Sequence, residues 1–163
     1  MTNPRFSKRR AFLKTSLALS AYSFSAATSL IAPIETQAEW MANLFSLGTF
    51  DESIQKSFSI PDVTQIEVTD KIELKLPSIA ENGAVVPLTI NTTLERVEQF
   101  FVFVEKNPVP LVAVFNLSPQ VEPTASLHVK LSETSEVVVV AKAAGQLYKI
   151  QQTVKVTIGG CGG

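Results

Sequence analysis

The 163-residue sequence contains a single cysteine, Cys161, and a single histidine, His128. One cysteine excludes both a disulfide-bonded core and a CxxC redox pair. It also excludes a zinc site built from several cysteines. No histidine lies within thirty residues of Cys161, so no local cysteine–histidine pair activates the thiol. These absences exclude the common ways in which a cysteine serves catalysis or metal binding.

Glycine is scarce until the end of the chain, where four of the seven glycines lie in residues 159–163. No glycine cluster joins a strand to a helix, which excludes a glycine-rich phosphate loop. The acidic residues are scattered and do not pair at spacings suited to acid–base catalysis. His128 alternates with apolar positions, and we expect a solvent-facing structural residue rather than a ligand. The sequence therefore predicts a protein that is not itself an enzyme.

The last five residues are all glycine except for Cys161. Glycine lacks a Cβ atom and adopts many backbone conformations, so glycines on both sides of one thiol predict a thin, flexible arm. Five extended residues reach about 17 Å beyond the last strand. A free cysteine on an exported chain needs a functional reason, and such an arm can enter a narrow pocket on another protein. We predict that Cys161 is the functional residue and that its arm consists of Gly159, Gly160, Gly162 and Gly163.

The first 38 residues have the features of an export signal. Arg9 and Arg10 form a twin-arginine pair, and a mildly apolar run follows from residue 15 to residue 32. Small residues then precede a predicted cleavage site after residue 38, with a cut near Ala27 as the alternative. The apolar run is rich in serine and threonine and is short for a membrane span. We predict a cleaved twin-arginine signal at residues 1–38 and a periplasmic mature protein.

Loss of the signal changes the charge of the protein. It removes five of the 14 basic residues and one of the 15 acidic residues, which leaves nine against fourteen, a net charge of −5. Arg96 is then the single arginine. A mildly acidic domain with one arginine is a poor candidate for binding nucleic acid. The remaining residues, about 125, are enough for one domain held together by apolar packing.

Residues 39–61 show a helical pattern. Thr49 is a suitable N-cap, and the apolar residues Phe50, Ile54 and Phe58 recur at intervals of four. We expect this N-terminal helical segment to pack against one end of the domain or against a partner.

From Asp70 onwards the hydrophobic period is two, as in β-strands. Seven strands are predicted at turn spacings of about 8–12 residues, with no helical pattern between them. The first is at 72–76 and the last is a long strand at 147–158. Residues 62–158 are therefore predicted to form an all-β domain, an immunoglobulin-like antiparallel β-sandwich of about seven strands. The short helical segment precedes this sandwich, and the flexible C-terminal glycine arm at 159–163 follows it.

Two features of the predicted strands indicate which strand lies at the edge of a sheet and which side chains point out of the sandwich. Pro87 has no N–H group to donate, so the strand at 85–91 is expected to be an edge strand or to be bulged. Phe100 and Phe101 are adjacent in a predicted central strand and point to opposite faces. One of them must be covered from outside the sandwich. The helix at 50–58 or a partner subunit can provide this cover, and the sequence does not choose between them.

Several stretches of the chain resemble a known family. They are the GGCGG tail and the internal stretches Leu76–Gly83, Val86–Leu88 and Val104–Pro108. With the twin-arginine signal and the small all-β domain, they resemble SoxY, the sulfur-carrier subunit of the bacterial thiosulfate-oxidising Sox system. The tail is specific for this family, and the internal stretches support it.

The resemblance implies an immunoglobulin-like fold and a non-catalytic carrier without a cofactor of its own. The thiol matching Cys161 carries thiosulfate and its oxidation products as covalent adducts. The implied partners are SoxZ, which forms a heterodimer with the carrier, and the enzymes SoxAX, SoxB and, where present, SoxCD. SoxAX conjugates the substrate through its haem subunits, SoxB removes sulfate by hydrolysis, and SoxCD oxidises the remaining sulfane sulfur. We expect the heterodimer to form over the sheet face that presents Phe100 or Phe101.

Two other function classes are compatible with the sequence. An exported immunoglobulin-like adaptor would use its single cysteine for an intermolecular disulfide. A free-standing thiol oxidoreductase is less favoured, because the sequence has neither a second cysteine nor a base near Cys161. The intact mass of the protein after incubation with thiosulfate and partner extract separates a carrier from an adaptor.

Overall fold

The computed structural model describes residues 42–157. The predicted export signal with Arg9 and Arg10 and the predicted arm with Cys161 lie outside the described residues. Within the described part, helix α1 (Phe50–Phe58) and a 3-10 helix (Val63–Gln65) precede the strands. The strands are β1 Glu67–Val68, β2 Ile72–Lys75, β3 Ile79–Ala80, β4 Val86–Thr92, β5 Val97–Val104, β6 Leu111–Asn116, β7 Thr124–Val129, β8 Ser135–Ala143 and β9 Gln146–Val156. Between residues 42 and 157, no helix has the length and apolar character that crossing a membrane requires.

The strands form two sheets that pack face to face. The larger sheet has the order β1-β9-β8-β5-β6, with β3 also pairing with β9, and the smaller sheet has the order β2-β4-β7. The seven long strands pair antiparallel wherever they are neighbours. The short strands β1 and β3 pair with β9 in parallel. The immunoglobulin-like antiparallel β-sandwich expected from the alternation is confirmed, with two short parallel strands added beside β9.

The main core lies between the two sheets and consists of the inward residue of each alternating pair. Val102 and Val139 contribute from the larger sheet, and Leu88 and Ile90 contribute from the smaller one; each is at most 1% exposed. Full burial of such an aliphatic side chain contributes about 1.5–3 kcal/mol relative to exposure. Apolar packing between the sheets therefore stabilises a domain whose described residues contain no cysteine.

Helix α1 begins at a capping box. The Thr49 hydroxyl accepts a hydrogen bond from the Glu52 amide, and the Glu52 carboxylate accepts one from the Thr49 amide. These two bonds satisfy amide groups that a helix N-terminus otherwise leaves without partners. The helix ends at Ser59, which adopts a left-handed conformation with φ of 58°. The predicted N-cap is confirmed, and α1 occupies nine residues of the segment that was predicted to be helical.

Helix α1 covers the outer face of the larger sheet, and this corrects one expectation. Phe100 points into the main core and is 0% exposed, while Phe101 points outward and is only 3% exposed. The ring of Phe58 packs edge-on against Phe101 at a centroid distance of 4.7 Å, and Phe50 packs against Phe103 at 5.9 Å. Because α1 provides the cover, neither Phe100 nor Phe101 is available to a partner. The expectation that this face presents Phe100 or Phe101 to a partner was wrong, and the heterodimer itself stays a prediction.

The loss of this cover can be measured. We expect Phe58→Ala to lower the free energy of unfolding by about 2–4 kcal/mol, because Phe58 is half-buried against two aromatic rings. Chemical denaturation in urea measures the change. Gln55→Ala, on the exposed side of the same helix, is the matched control and should stay within about 0.5 kcal/mol of the original protein. Equal unfolding midpoints for the two variants would contradict this packing.

A buried lysine fixes the segment between α1 and β1. Lys149 on β9 is 6% exposed, and its Nζ donates to the carbonyl oxygen of Val63 at 2.7 Å. Asp62 caps the 3-10 helix by accepting a hydrogen bond from the Thr64 amide. The hydrogen bonds from Thr64, with a smaller effect of the Lys149 charge, lower the pKa of the Asp62 carboxyl below its usual value. Polar contacts thus hold this segment on the outer face of the larger sheet.

The strand that contains Pro87 is not an edge strand, which corrects a second expectation. Strand β4 lies between β2 and β7 in the smaller sheet. Strand β2 pairs only with Thr89–Thr92, so Pro87 lies beyond the end of β2 and faces a strand on one side alone, opposite His128 of β7. A residue without an N–H group is tolerated there because the position is locally an edge.

Candidate functional site

The functional residue predicted from the sequence follows strand β9. Thr157 is the last described residue, and Cys161 lies four positions beyond it. Strand β9 has 11 residues and pairs with β8 from Gln146 to Val154. The chain therefore reaches the predicted arm from a strand that is anchored in the larger sheet.

The end of β9 is held on one side by strand β3 and the residues next to it. The Lys155 amide donates to the Ser78 carbonyl at 2.9 Å, and the Thr157 amide donates to the Ala80 carbonyl at 3.1 Å. The Thr157 hydroxyl also donates to the Glu81 carbonyl at 3.1 Å. These contacts come from the stretch Leu76–Gly83, which is one of the stretches that resemble the carrier family.

The other side of β9 is held by the turn between β7 and β8. The Val156 amide donates to the Thr134 hydroxyl at 3.0 Å. Hydrogen bonds of this kind contribute about 0.5–1.5 kcal/mol each, so several together keep the last residues of β9 in place. We call this group the arm root; it comprises Ser78–Glu81, Thr134 and Lys155–Thr157.

The described residues around the arm root show no prepared catalytic site. The ionisable side chains of Glu81, Glu133 and Lys155 are all exposed. Across residues 42–157 no group of three or more histidine, cysteine, aspartate or glutamate side chains is placed to hold a metal ion. His128 is exposed on β7, as its alternation with apolar residues predicted. The arrangement holds the end of β9 in place, and it presents the charged side chains of Glu81, Glu133 and Lys155 to solvent.

A cavity of about 550 Å³ lies at the opposite end of the sandwich. It is lined by the β4–β5 connection, the β6–β7 connection and Ala144 in the turn before β9. The length of β9, at about 3.3 Å per residue, separates this turn from the arm root by more than about 30 Å. Four extended residues carry Cys161 only about 14 Å from Thr157. The cavity therefore lies farther from Thr157 than four extended residues can reach.

Cys161 and the glycines Gly159, Gly160, Gly162 and Gly163 lie outside the described residues, so their roles stay predictions. The structure describes the chain that leads to them as far as Thr157. Sequence reasoning singled out the stretch that contains Ser78–Glu81 by resemblance alone and missed the supporting role of Thr134. A threonine in a turn carries no periodic signal, so only the fold brings it beside Val156.

Comparisons with known proteins bear on the same region. Residues 59–161 match the family described as sulfur oxidation protein SoxY. The solved structure of the sulfur carrier protein SoxY from Chlorobium limicola f thiosulfatophilum is 35% identical, with a TM-score of 0.57; the match covers 66% of this chain and 96% of that chain. No curated protein matches the chain.

A second solved structure is similar in fold only. A variant of the superoxide reductase neelaredoxin from Ignicoccus hospitalis has a TM-score of 0.51 at 11% identity, and the match covers 57% of this chain and 95% of that chain. The family match, in contrast, spans the sandwich and extends to the single cysteine at position 161.

Proposed function

The chain belongs to the SoxY family of sulfur carrier proteins, and from this premise we propose that it carries thiosulfate-derived intermediates covalently on Cys161. The carrier then presents them to partner enzymes of a sulfur-oxidising system. The observation that supports the proposal most is the extent of the family match, which runs from residue 59 to the single cysteine at 161. The protein acts as a carrier subunit, and its chemistry takes place in the active sites of its partners.

The sandwich and the arm have separate roles in this proposal. Hydrogen bonds on both sides of β9 hold the chain as far as Thr157. Beyond it, the glycines give the thiol freedom to follow a different path in each partner. The sandwich is the part that partners recognise, and the arm is the part that enters them.

The carried sulfur changes in a fixed chemical order. Joining thiosulfate to the Cys161 thiol forms a sulfur–sulfur bond and removes two electrons, which we assign to the haem subunits of SoxAX. Water then displaces sulfate in SoxB and leaves a persulfide on Cys161. SoxCD, where present, oxidises the outer sulfur of that persulfide. No cofactor other than these covalent adducts is proposed for the carrier itself.

The thiol of Cys161 depends on its partners for activation. No histidine and no second cysteine lies near it in the sequence, and the thiolate is the reactive form of cysteine. A carrier whose thiol reacts only inside a partner avoids uncontrolled oxidation on the way. This reading favours a carrier over a thiol oxidoreductase.

The proposal also includes an assembly and a location. A stable heterodimer with SoxZ is proposed, with its interface away from Phe101, since helix α1 covers that face. Export by the twin-arginine pathway through Arg9 and Arg10 would deliver the protein to the periplasm already folded or assembled with its partner.

The test is the intact mass of the purified protein after incubation with thiosulfate and partner extract. We expect a mass gain that corresponds to one thiosulfate-derived adduct, and peptide mapping should place it on Cys161. Incubation with sulfate in place of thiosulfate is the control and should leave the mass unchanged. A disulfide-linked dimer without sulfur adducts would support the adaptor reading instead.

A further inference from the structure

We propose that the free edge of strand β6 binds the same edge of a second copy of this chain. The two β6 strands pair antiparallel about a twofold axis and join the larger sheets of two sandwiches into one continuous sheet. The residues that pair belong neither to the arm root nor to the predicted arm, so this association is separate from the chemistry proposed for Cys161.

Strand β6 lies at the end of the larger sheet and has one side that binds no other strand. Among the described residues it pairs with β5 alone. The Leu117 amide, just after the strand, donates to the Glu98 carbonyl of β5 at 2.8 Å. Backbone N–H and C=O groups alternate between the two sides of a strand, so those of Val114 and Asn116 face away from β5. Groups placed in this way are a template for a further strand.

The side chains of β6 are apolar and incompletely covered. The strand has the sequence LVAVFN and carries no charge. Its Ala113 and Phe115 pack against the main core but are only partly buried, whereas Phe100, which pairs with Phe115 from β5, is 0% exposed. The smaller sheet has three strands against five in the main order of the larger sheet, so it leaves the inner face of β6 partly uncovered. A further strand beside β6 would cover these side chains.

The other sheet edges in the described part of the chain are protected. The short strands β1 and β3 line the outer side of β9. The edge strand β2 carries Glu73 and Lys75, and beside β7 the Asn107 side chain donates to the Lys130 carbonyl at 2.7 Å. Short strands, charges and covering groups are the usual means of preventing edge-to-edge pairing. The irregular register of β6 lies before Ala113, and the regular stretch from there to Asn116 has none of these protections.

The sequence of β6 fits a second copy of itself. In one antiparallel register, Val114 of each copy lies opposite Asn116 of the other, and each pair exchanges both of its N–H···O bonds. Phe115 then lies opposite Phe115 of the second copy, and Ala113 lies opposite Leu117. A small side chain thus faces a large one on the inner face that lacks cover. Cross-strand pairs of this kind contribute about 0.2–1 kcal/mol each.

Charge and symmetry also favour a second copy at this edge. Each mature chain has a predicted net charge of −5, so two copies repel each other unless they meet through an uncharged surface. A twofold axis uses the same surface on both copies and closes the assembly at two. Strand β9 lies three strands away from β6, at about 14 Å. Both arm roots therefore remain uncovered in the pair.

The experiment measures the mass in solution of the mature chain carrying Cys161→Ser, which excludes disulfide-linked dimers. Asn116→Pro removes an N–H group from the free edge without removing a hydrogen bond to β5. Ser126→Pro is the matched control on the edge strand β7, because the Ser126 N–H also faces away from its neighbouring strand. Each variant loses one exposed side-chain hydrogen bond, to Gln99 and to Thr89 respectively.

Size-exclusion chromatography with light scattering, over a range of protein concentrations, gives the dissociation constant of the dimer. We expect a dimer for the chain with the original β6 sequence and for Ser126→Pro, and a dissociation constant at least tenfold higher for Asn116→Pro. A monomer at every concentration for the original sequence overturns the proposal, as does a dimer that Asn116→Pro leaves intact. Loss of binding to the partner subunit, in place of self-association, also overturns it, because β6 would then belong to the heterodimer interface.

A second pair of variants keeps the test decisive if Asn116→Pro does not fold, which its thermal unfolding reveals. Val114→Lys places a charge on the β6 edge and leaves every backbone group in place. Val68→Lys is its control, at a residue 67% exposed on β1 at the other end of the larger sheet. We expect Val114→Lys to abolish the dimer and Val68→Lys to keep it. Equal dissociation constants for these two variants overturn the pairing through β6.

Discussion

Cys161→Ser should abolish thiosulfate-dependent electron transfer in a reconstituted system. A serine hydroxyl cannot form the sulfur–sulfur bond on which every later step of the proposed carrier cycle depends. We therefore expect the turnover to fall by about 10³-fold or more, which corresponds to about 4 kcal/mol. The measurement is the rate of electron transfer to the terminal acceptor with the complete set of partners, at several carrier concentrations.

The variant also separates carrier chemistry from folding. The described hydrogen bonds at the arm root reach as far as Thr157, four residues before the substitution. The unfolding midpoint and assembly with the partner subunit should therefore match those of the original protein. Turnover close to that of the original protein would show that the thiol of Cys161 is not the attachment site.

Strong periodic patterns made much of the fold predictable. All seven predicted strands are present, because each contains enough residues to show an alternation or a continuous apolar run. The N-cap at Thr49 was predicted from a polar residue placed just before the apolar residues of the helix, and the structure confirms it. These patterns come from residues that are close together in the sequence, and the elements that they predict are present in the structure.

The expectations that the structure corrects depend on where a neighbouring strand or helix lies. The sequence shows that Pro87 cannot donate a hydrogen bond, but it does not show that β2 ends before reaching it. It shows that Phe100 and Phe101 point to opposite faces, and it leaves open whether a helix or a partner covers the outer one. Helix α1 provides the cover, because its Phe58 packs against Phe101, which lies 43 positions away in the sequence.

The short strands and the buried lysine were not predicted at all. Strands β1 and β3 have two residues each, which is too short for a period to appear. Lys149 occupies a polar position in an alternating strand, so it reads as a solvent-facing residue until the segment around Val63 packs over it. The stretch Ser78–Glu81 was noticed only through its resemblance to a family. In the structure, this stretch forms hydrogen bonds that hold the end of β9.

The second large effect concerns the glycines on either side of the thiol. In the proposed carrier, one thiol visits several unrelated active sites, and each channel is too narrow for a folded domain. Side chains beside Cys161 would clash with channel walls and would restrict φ and ψ, so the arm could not follow a different path in each partner. Replacing both Gly160 and Gly162 with valine should therefore lower turnover by the processing enzymes at least tenfold, or about 1.4 kcal/mol of transition-state stabilisation.

The valine variant should keep its fold, its assembly and its thiol reactivity. Both glycines lie beyond Thr157, and Cys161 should react with iodoacetamide at the original rate. The decisive measurement is the rate of adduct loss with each partner enzyme, using variant and original carriers loaded with the same adduct. We expect the loss to differ between partners, because each channel tolerates a different width near the thiol. Equal rates for both carriers with every partner would show that the glycines do not serve channel entry.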